Sequence, residues 1–155
     1  VLTKWGIEVI GFRPGASREE LVHLIERSGK KDRLAMIFLE TPANPTNGLV
    51  DIALAREISE SLASPAGRPP VIVDNTFLGP LWQMPLKAGA DLCVTSLTKY
   101  VGGHSDLIAG ACSGEEAWVA ASQNRTPRTR KELAGYIDTS IIREVMRTRT
   151  AAAGR

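Results

Sequence analysis

Lys99 is the residue in this 155-residue chain with the clearest capacity for chemistry. It follows an apolar run, and a lysine that is short of water at the end of a buried strand can act as a nucleophile on an aldehyde. Most lysines are solvated instead, so the neighbouring residues decide between the two interpretations.

Two hydroxyls precede Lys99. In extended chain, Ser96 and Thr98 present their side chains on one side and Lys99 on the other. With Gly102-Gly103 following, the hydroxyls could hold a phosphate while the lysine reaches another part of the same ligand. Ordinary capping of a strand end by serine and threonine is the alternative.

Asp74 and Asn44 are the other candidate site residues. Asp74 ends an apolar run, and a partly buried carboxylate is costly unless it meets a cation or strong donors. A protonated pyridine nitrogen would satisfy it, and so would a helix cap or an internal salt bridge. Asn44 lies between Pro42 and Pro45, where its amide could donate to a phenolate oxygen or cap its own turn.

These residue types together match the needs of one cofactor. Pyridoxal 5'-phosphate (PLP) requires a Schiff-base lysine, an anion at the ring nitrogen, a donor at the phenolate and a phosphate cup. The sequence therefore predicts a PLP site and no metal site, because a single His104 without a spaced partner is weak support for a metal.

Apolar strands alternating with amphipathic helices position these residues. The predicted strands are Ile7–Ile10, Leu34–Leu39, Val71–Val73 and Leu92–Val94, and the predicted helices begin at the caps Ser17 and Asp51. This alternation predicts an α/β fold with a mostly parallel sheet and flanking helices. Parallel sheets bind ligands at the carboxyl ends of their strands, so the polar clusters at three strand ends predict one shared site.

Composition narrows the class of protein. The chain is 43% hydrophobic and 23% charged with a net charge of +2, which argues against a disordered segment and a nucleic-acid binder. No apolar run approaches the roughly 20 residues of a membrane helix. Cys93 and Cys112 are too few for a disulfide framework, and no basic-then-apolar leader is visible, so a cytoplasmic location is expected.

Charge divides the chain at Gly114. Residues 1–114 carry 11 basic and 12 acidic side chains, a net charge of −1, whereas residues 115–155 carry 8 and 5, a net charge of +3. We therefore expect a cofactor-binding fragment over 1–114 and a divergent basic tail, partly helical, over 115–155.

Four linked stretches of the sequence resemble the Cys/Met-metabolism family of PLP-dependent enzymes. They are Glu40-Thr41-Pro42-Ala43-Asn44-Pro45-Thr46, Val73-Asp74-Asn75-Thr76-Phe77, Gln83-Met84-Pro85-Leu86 followed by Gly89-Ala90-Asp91, and Ser96-Leu97-Thr98-Lys99-Tyr100-Val101-Gly102-Gly103-His104-Ser105-Asp106. Their order and spacing are those of the family, and the resemblance covers about residues 5–114. It implies a fragment of the large cofactor-binding domain of the aspartate-aminotransferase-like fold.

The resemblance also implies residue roles. Lys99 would be the Schiff-base lysine that later moves a proton, and Asp74 would hold the ring nitrogen. The remaining implied contacts are Asn44 with the phenolate oxygen, Ser96 and Thr98 with the phosphate, Thr76 with the ring face, and His104 and Asp106 in support of the lysine loop.

At the level of function, the resemblance implies sulfur amino-acid metabolism. The reaction would be carbon–sulfur elimination or replacement at the β or γ carbon of a small sulfur amino acid, like that of a methionine gamma-lyase or a cystathionine gamma-synthase. The family also implies a homo-oligomer, namely a tetramer assembled from dimers. Lyase and synthase stay open as alternatives, as does a truncated, non-catalytic cofactor-binding remnant. A nucleotide-binding Rossmann domain is disfavoured, because its glycine fingerprint is absent.

Overall fold

A four-stranded sheet forms the centre of the computed structural model, which describes residue 4 and residues 6–65, 67–115 and 118. In spatial order the strands are β1 (Ile37–Glu40), β2 (Val71–Asp74), β3 (Leu92–Ser96) and β4 (Gly110–Gly114). The first three strands are parallel, and β4 is antiparallel to β3. The predicted α/β class with a mostly parallel sheet is confirmed.

Both predicted helix starts are confirmed. Helix α1 (Arg18–Arg27) begins with a capping box, in which the Ser17 hydroxyl accepts the Glu20 N–H and the Glu20 carboxylate accepts the Ser17 N–H. Helix α2 (Ile52–Ser61) begins at Asp51, whose carboxylate accepts the Leu54 N–H at 3.1 Å. These caps satisfy backbone donors that have no partner inside the helix.

The core lies between α2 and one face of the sheet. Its buried members are Leu39, Ile52, Ala55, Val71, Val73 and Ala90. Because strand side chains alternate between faces and Glu40 is in register with Asp74, both carboxylates lie on the face turned away from α2. The polar strand ends are therefore separate from the core that stabilises the sheet.

Asp91 anchors the opposite end of the sheet. Its carboxylate is fully buried and accepts hydrogen bonds from Arg68 at 2.5 and 2.8 Å, from Arg56 at 3.3 Å and from the Val71 N–H at 2.8 Å. Burial alone would raise the pKa of Asp91, but the hydrogen bonds from Arg68 and Val71 and the two guanidinium charges outweigh it and lower the pKa. This network joins the amino ends of β2 and β3.

Several local predictions are wrong. Residues 7–10 form no strand, and Ile7 and Val9 are exposed, so these apolar side chains find no core to occupy. Strand β1 begins at Ile37 rather than Leu34, because Leu34 ends a 3-10 turn by donating its N–H to the Lys31 carbonyl at 3.3 Å. The sequence pattern did not predict β4 or the one-turn helix α3 (Gly79–Trp82).

In the part of the chain that the structure describes, no helix is both long and apolar enough to cross a membrane.

Candidate active site

Lys99 lies in a π-helical turn, Leu97–Val101, directly after β3. The predicted extended conformation past Ser96 is wrong, because the N–H groups of Leu97 and Thr98 both donate to the Ala109 carbonyl, at 2.9 and 3.2 Å. These bonds turn the chain towards β4. Lys99 departs from helical geometry inside the turn (φ −84°, ψ −117°), and no carboxylate of the described residues forms an ion pair with it. It is exposed, so the expectation of a lysine short of water is wrong for the part of the chain that the structure describes.

Thr98 uses its hydroxyl to hold this turn. The oxygen accepts the Ala109 N–H at 2.9 Å and the hydroxyl donates to the Ala109 carbonyl at 3.2 Å. The N–H groups of Gly102 and Gly103 are also engaged, because they donate to the Leu97 and Lys99 carbonyls at 2.8 and 2.7 Å. A phosphate contact from Thr98, as predicted, would therefore compete with an existing pair of hydrogen bonds.

Ser96 differs from Thr98 in this respect. Its hydroxyl has no hydrogen-bond partner among residues 6–65 and 67–115, and it lies at the carboxyl end of β3. Of the two predicted phosphate ligands, Ser96 is thus the one whose hydroxyl is available to a ligand.

Asp74 and Thr76 follow β2 and meet the end of β3. Asp74 is half-buried, as the sequence predicted, and one carboxylate oxygen accepts the Thr76 N–H at 2.9 Å. The Thr76 hydroxyl oxygen in turn accepts the Ser96 N–H at 2.8 Å. This bond joins the strand end that carries Asp74 to the strand end that precedes Lys99.

Asn44 lies in the loop after β1. It is exposed, and its N–H donates to the Glu40 carboxylate at 3.4 Å. The loop closes on itself through the Ala43 N–H and the Gly48 carbonyl at 3.0 Å. Gly48 is required there, since a Cβ at this position would lie 2.5 Å from the Pro14 ring.

Sequence reasoning gave no role to Gln83 or Asn75, which connect this loop to β2. The Gln83 side-chain nitrogen donates to the Thr41 carbonyl at 2.8 Å and to the Asn75 side-chain oxygen at 3.0 Å. Both residues lie within the motifs that carry the family resemblance, and this position was the only sequence feature that could have pointed to them. Their pairing across the sheet could not be read from local spacing.

Two contacts border the lysine turn. The rings of Phe77 and Tyr100 are tilted against each other with centroids 6.1 Å apart, which brings the neighbours of Thr76 and Lys99 together. His104 donates from Nδ1 to the Gly102 carbonyl at 2.9 Å. The three predicted polar clusters therefore lie along one edge of the sheet, joined by hydrogen bonds.

Comparison with known proteins assigns the chain to a family. A family model described as "Cys/Met metabolism PLP-dependent enzyme" matches residues 1–148. The chain belongs to the Cys/Met-metabolism family of PLP-dependent enzymes. The match extends beyond Gly114, and the proposed division of the chain there stays a prediction, since residues 119–155 lie outside the described residues.

Curated relatives of the chain include lyases of sulfur amino acids. An L-methionine gamma-lyase of Fusobacterium nucleatum subsp. polymorphum is 43% identical over 109 residues, which cover 70% of this chain and 25% of that protein. A cystathionine gamma-lyase of Bacillus subtilis is 43% identical over 110 residues, or 71% of this chain and 26% of that protein. The chain thus spans about a quarter of the length of these relatives.

Solved structures of the family share the fold. The structure of metB from Corynebacterium glutamicum superposes with a TM-score of 0.64 at 34% identity, covering 78% of this chain and 29% of that one. CalE6, a methionine gamma lyase from Micromonospora echinospora, gives a TM-score of 0.53 at 34% identity, covering 66% of this chain and 26% of that one.

The side chains at the sheet edge fit the family's cofactor in their chemistry. A half-buried carboxylate at Asp74 suits a pyridinium nitrogen, and the exposed amine of Lys99 suits an aldehyde. Ser96 offers an unused hydroxyl. The described residues therefore include groups whose chemistry suits the ring of PLP and one hydroxyl that suits its phosphate.

Proposed function

We propose that this chain forms the cofactor-binding core of a PLP-dependent enzyme that eliminates or replaces a carbon–sulfur bond at the β or γ carbon of an amino acid. The observation that carries the proposal is the hydrogen bond from the Ser96 N–H to the Thr76 hydroxyl. It fixes the strand end bearing Asp74 against the strand end that leads into Lys99, so both residues can contact one ligand.

PLP, when bound, supplies an electron sink for the negative charge that develops on the substrate's α carbon. Asp74 would hold the proton on the ring nitrogen, because a half-buried carboxylate is stabilised by an adjacent cation. Asn44, exposed at the loop after β1, would donate its side-chain amide to the phenolate oxygen. Ser96 would donate to the phosphate, Thr98 would do so once its hydroxyl leaves the Ala109 carbonyl, and Thr76 would lie against the ring.

Lys99 would bind the aldehyde through Nζ and then carry a proton from the α carbon. Two features support this role. Its amine is not neutralised by any carboxylate of the described residues, and the surrounding turn is held by the Thr98 and Gly103 hydrogen bonds rather than by the lysine side chain. Lys99 can therefore move without loss of a structural contact.

The names of the relatives support the substrate class. They include methionine gamma-lyase, cystathionine gamma-lyase and cystathionine gamma-synthase. We extend to this chain a small sulfur amino-acid substrate, assembly as a homo-oligomer and a cytoplasmic location.

The test is turnover by the purified protein with excess PLP. Methionine and cystathionine are assayed for release of thiol, ammonia and 2-oxo acid, and an O-acylated homoserine is assayed with cysteine for thioether formation. Turnover should be abolished in Lys99→Ala and retained in Lys87→Ala, an exposed lysine in the loop before β3. Equal activity of both variants contradicts the proposal, and PLP binding without turnover of any substrate favours the non-catalytic alternative.

A further inference from the structure

Gln83 places a single side-chain amide between two of the strand ends that form the site. Its nitrogen donates to the Thr41 carbonyl, which follows β1, and to the Asn75 side chain, which follows β2. We propose that Gln83 is a positioning residue, whose amide sets the spacing between the loop that carries Asn44 and the strand end that carries Asp74. This inference rests on the proposed function, because it concerns how the same site is held for its cofactor.

The orientation of the Gln83 amide is determined by its neighbours. A backbone carbonyl can only accept, so the group at 2.8 Å from the Thr41 oxygen must be the NH2 end. The Asn75 amide is fixed in the same way, since its nitrogen donates to the carbonyls of Gly79 at 2.9 Å and Gln83 at 3.1 Å. The Asn75 oxygen therefore faces Gln83, and both hydrogens of the Gln83 amide are used.

Both partners of Gln83 are themselves fixed. Asn75 is 2% exposed, and its N–H donates to the Val94 carbonyl of β3 at 2.9 Å. Thr41 is also 2% exposed, and its hydroxyl accepts the Val50 N–H at 3.0 Å. Gln83 thus bridges two buried residues, each of which has at least one further hydrogen bond.

The bridge is adjacent to two predicted cofactor contacts. Thr41 stands three residues before Asn44, and Asn75 directly follows Asp74. Without the Gln83 donor, the Thr41 carbonyl and the Asn75 side-chain oxygen would lose a hydrogen-bond partner, and the loop after β1 would be held less tightly to β2. A shift of that kind separates the groups for the phenolate oxygen and for the ring nitrogen.

Two variants of Gln83 test the contribution of its amide hydrogens. Gln83→Met keeps the length of the side chain and removes both hydrogens. Gln83→Glu keeps the shape and places a carboxylate against two oxygen acceptors, which repel it until the carboxylate gains a proton. Ser59→Ala is the matched control, because it removes a buried hydrogen bond, 2.5 Å to the Pro69 carbonyl, at the opposite end of the sheet.

The first measurement is amide hydrogen exchange without cofactor. Exchange should accelerate over residues 41–48 and 75–79 in both Gln83 variants and remain as in the wild type over α1. In Ser59→Ala these two segments should keep their wild-type protection. Unchanged exchange over residues 41–48 in Gln83→Met overturns the proposal, whatever the protein does with PLP.

The second measurement is PLP affinity and the absorbance of the bound cofactor as a function of pH. Relative to wild type at the same pH, the PLP dissociation constant should rise about tenfold in both Gln83 variants at about pH 8. Between about pH 8 and pH 5, Gln83→Glu should recover towards wild type as its carboxylic acid regains a donor, whereas Gln83→Met should not. Equal pH dependence of the two variants overturns the positioning role, while failure of the wild type to bind PLP overturns the proposed function alone.

Discussion

The hydroxyl oxygen of Thr76 accepts the backbone N–H of Ser96 at 2.8 Å, across the carboxyl ends of β2 and β3. The Thr76 N–H is bound at the same time by the Asp74 carboxylate at 2.9 Å. One threonine therefore fixes a candidate cofactor ligand on one strand to the start of the lysine turn on the next. This arrangement engages one carboxylate oxygen of Asp74 and leaves its other oxygen and the Lys99 amine to a ligand.

Thr76→Val removes this link while it keeps the shape of the side chain. We expect a loss of about 1 kcal/mol in the free energy of unfolding, because the half-buried Ser96 N–H loses its acceptor. PLP affinity should fall as well. Thr76→Ser, which retains the hydroxyl, should stay near wild type in both urea unfolding and PLP titration, and a similar loss in both variants contradicts the role given to the hydroxyl.

Asp74→Asn should affect catalysis more than cofactor binding. A carboxylate that holds a proton on the ring nitrogen acts mainly where negative charge develops, so kcat should fall by a larger factor than PLP affinity. Steady-state rates and PLP titration of the same preparation give the two factors. Equal losses in both would show that Asp74 contributes only to binding.

The placement of the candidate residues at neighbouring strand ends could be predicted from the sequence, whereas the hydrogen bonding of their side chains could not. Apolar runs ending in Asp74 and Ser96 indicated strands, and the rule for parallel sheets then brought their ends together. The Thr98 hydroxyl is hydrogen-bonded to the backbone of Ala109, eleven residues later, and no local sequence pattern predicts that pairing. The Gln83 bridge and the Asp91 ion network are long-range contacts of the same kind.

Substitutions at Ser96 and at Thr98 should have different effects on the protein. Ser96→Ala should weaken binding of PLP while it leaves binding of pyridoxal, which lacks the phosphate, unchanged. Thr98→Val should reduce stability, because the hydroxyl pair with Ala109 is lost. Titration of Ser96→Ala with both ligands and urea unfolding of Thr98→Val measure these two effects. A loss of pyridoxal binding in Ser96→Ala would contradict the phosphate contact.

Asp91 should make the fold sensitive to acid. The pKa of Asp91 is lowered in the folded protein, so its contribution to stability is complete above the unfolded value of about 4 and is lost as pH falls through the folded pKa. Asp91→Asn should cost about 3 kcal/mol at neutral pH, since it leaves the half-buried Arg68 without its carboxylate, whereas Arg56 keeps its ion pair with Glu60.

Urea unfolding between neutral pH and about pH 3 measures this dependence. The difference in stability between wild type and Asp91→Asn should shrink as the pH falls below about 4. Asp32→Asn, at an exposed position, serves as the control and should follow the wild type throughout. A difference that stays constant over this range would show that Asp91 does not titrate with folding.

The most direct test of the account is the identity of the lysine that binds PLP. Incubation of the protein with PLP, reduction with borohydride and peptide mapping reveal the modified side chain. We predict that the label lies on Lys99, which is exposed in the turn three residues after Ser96. A label on Lys87 or on any other lysine, with Lys99 unmodified, would contradict it.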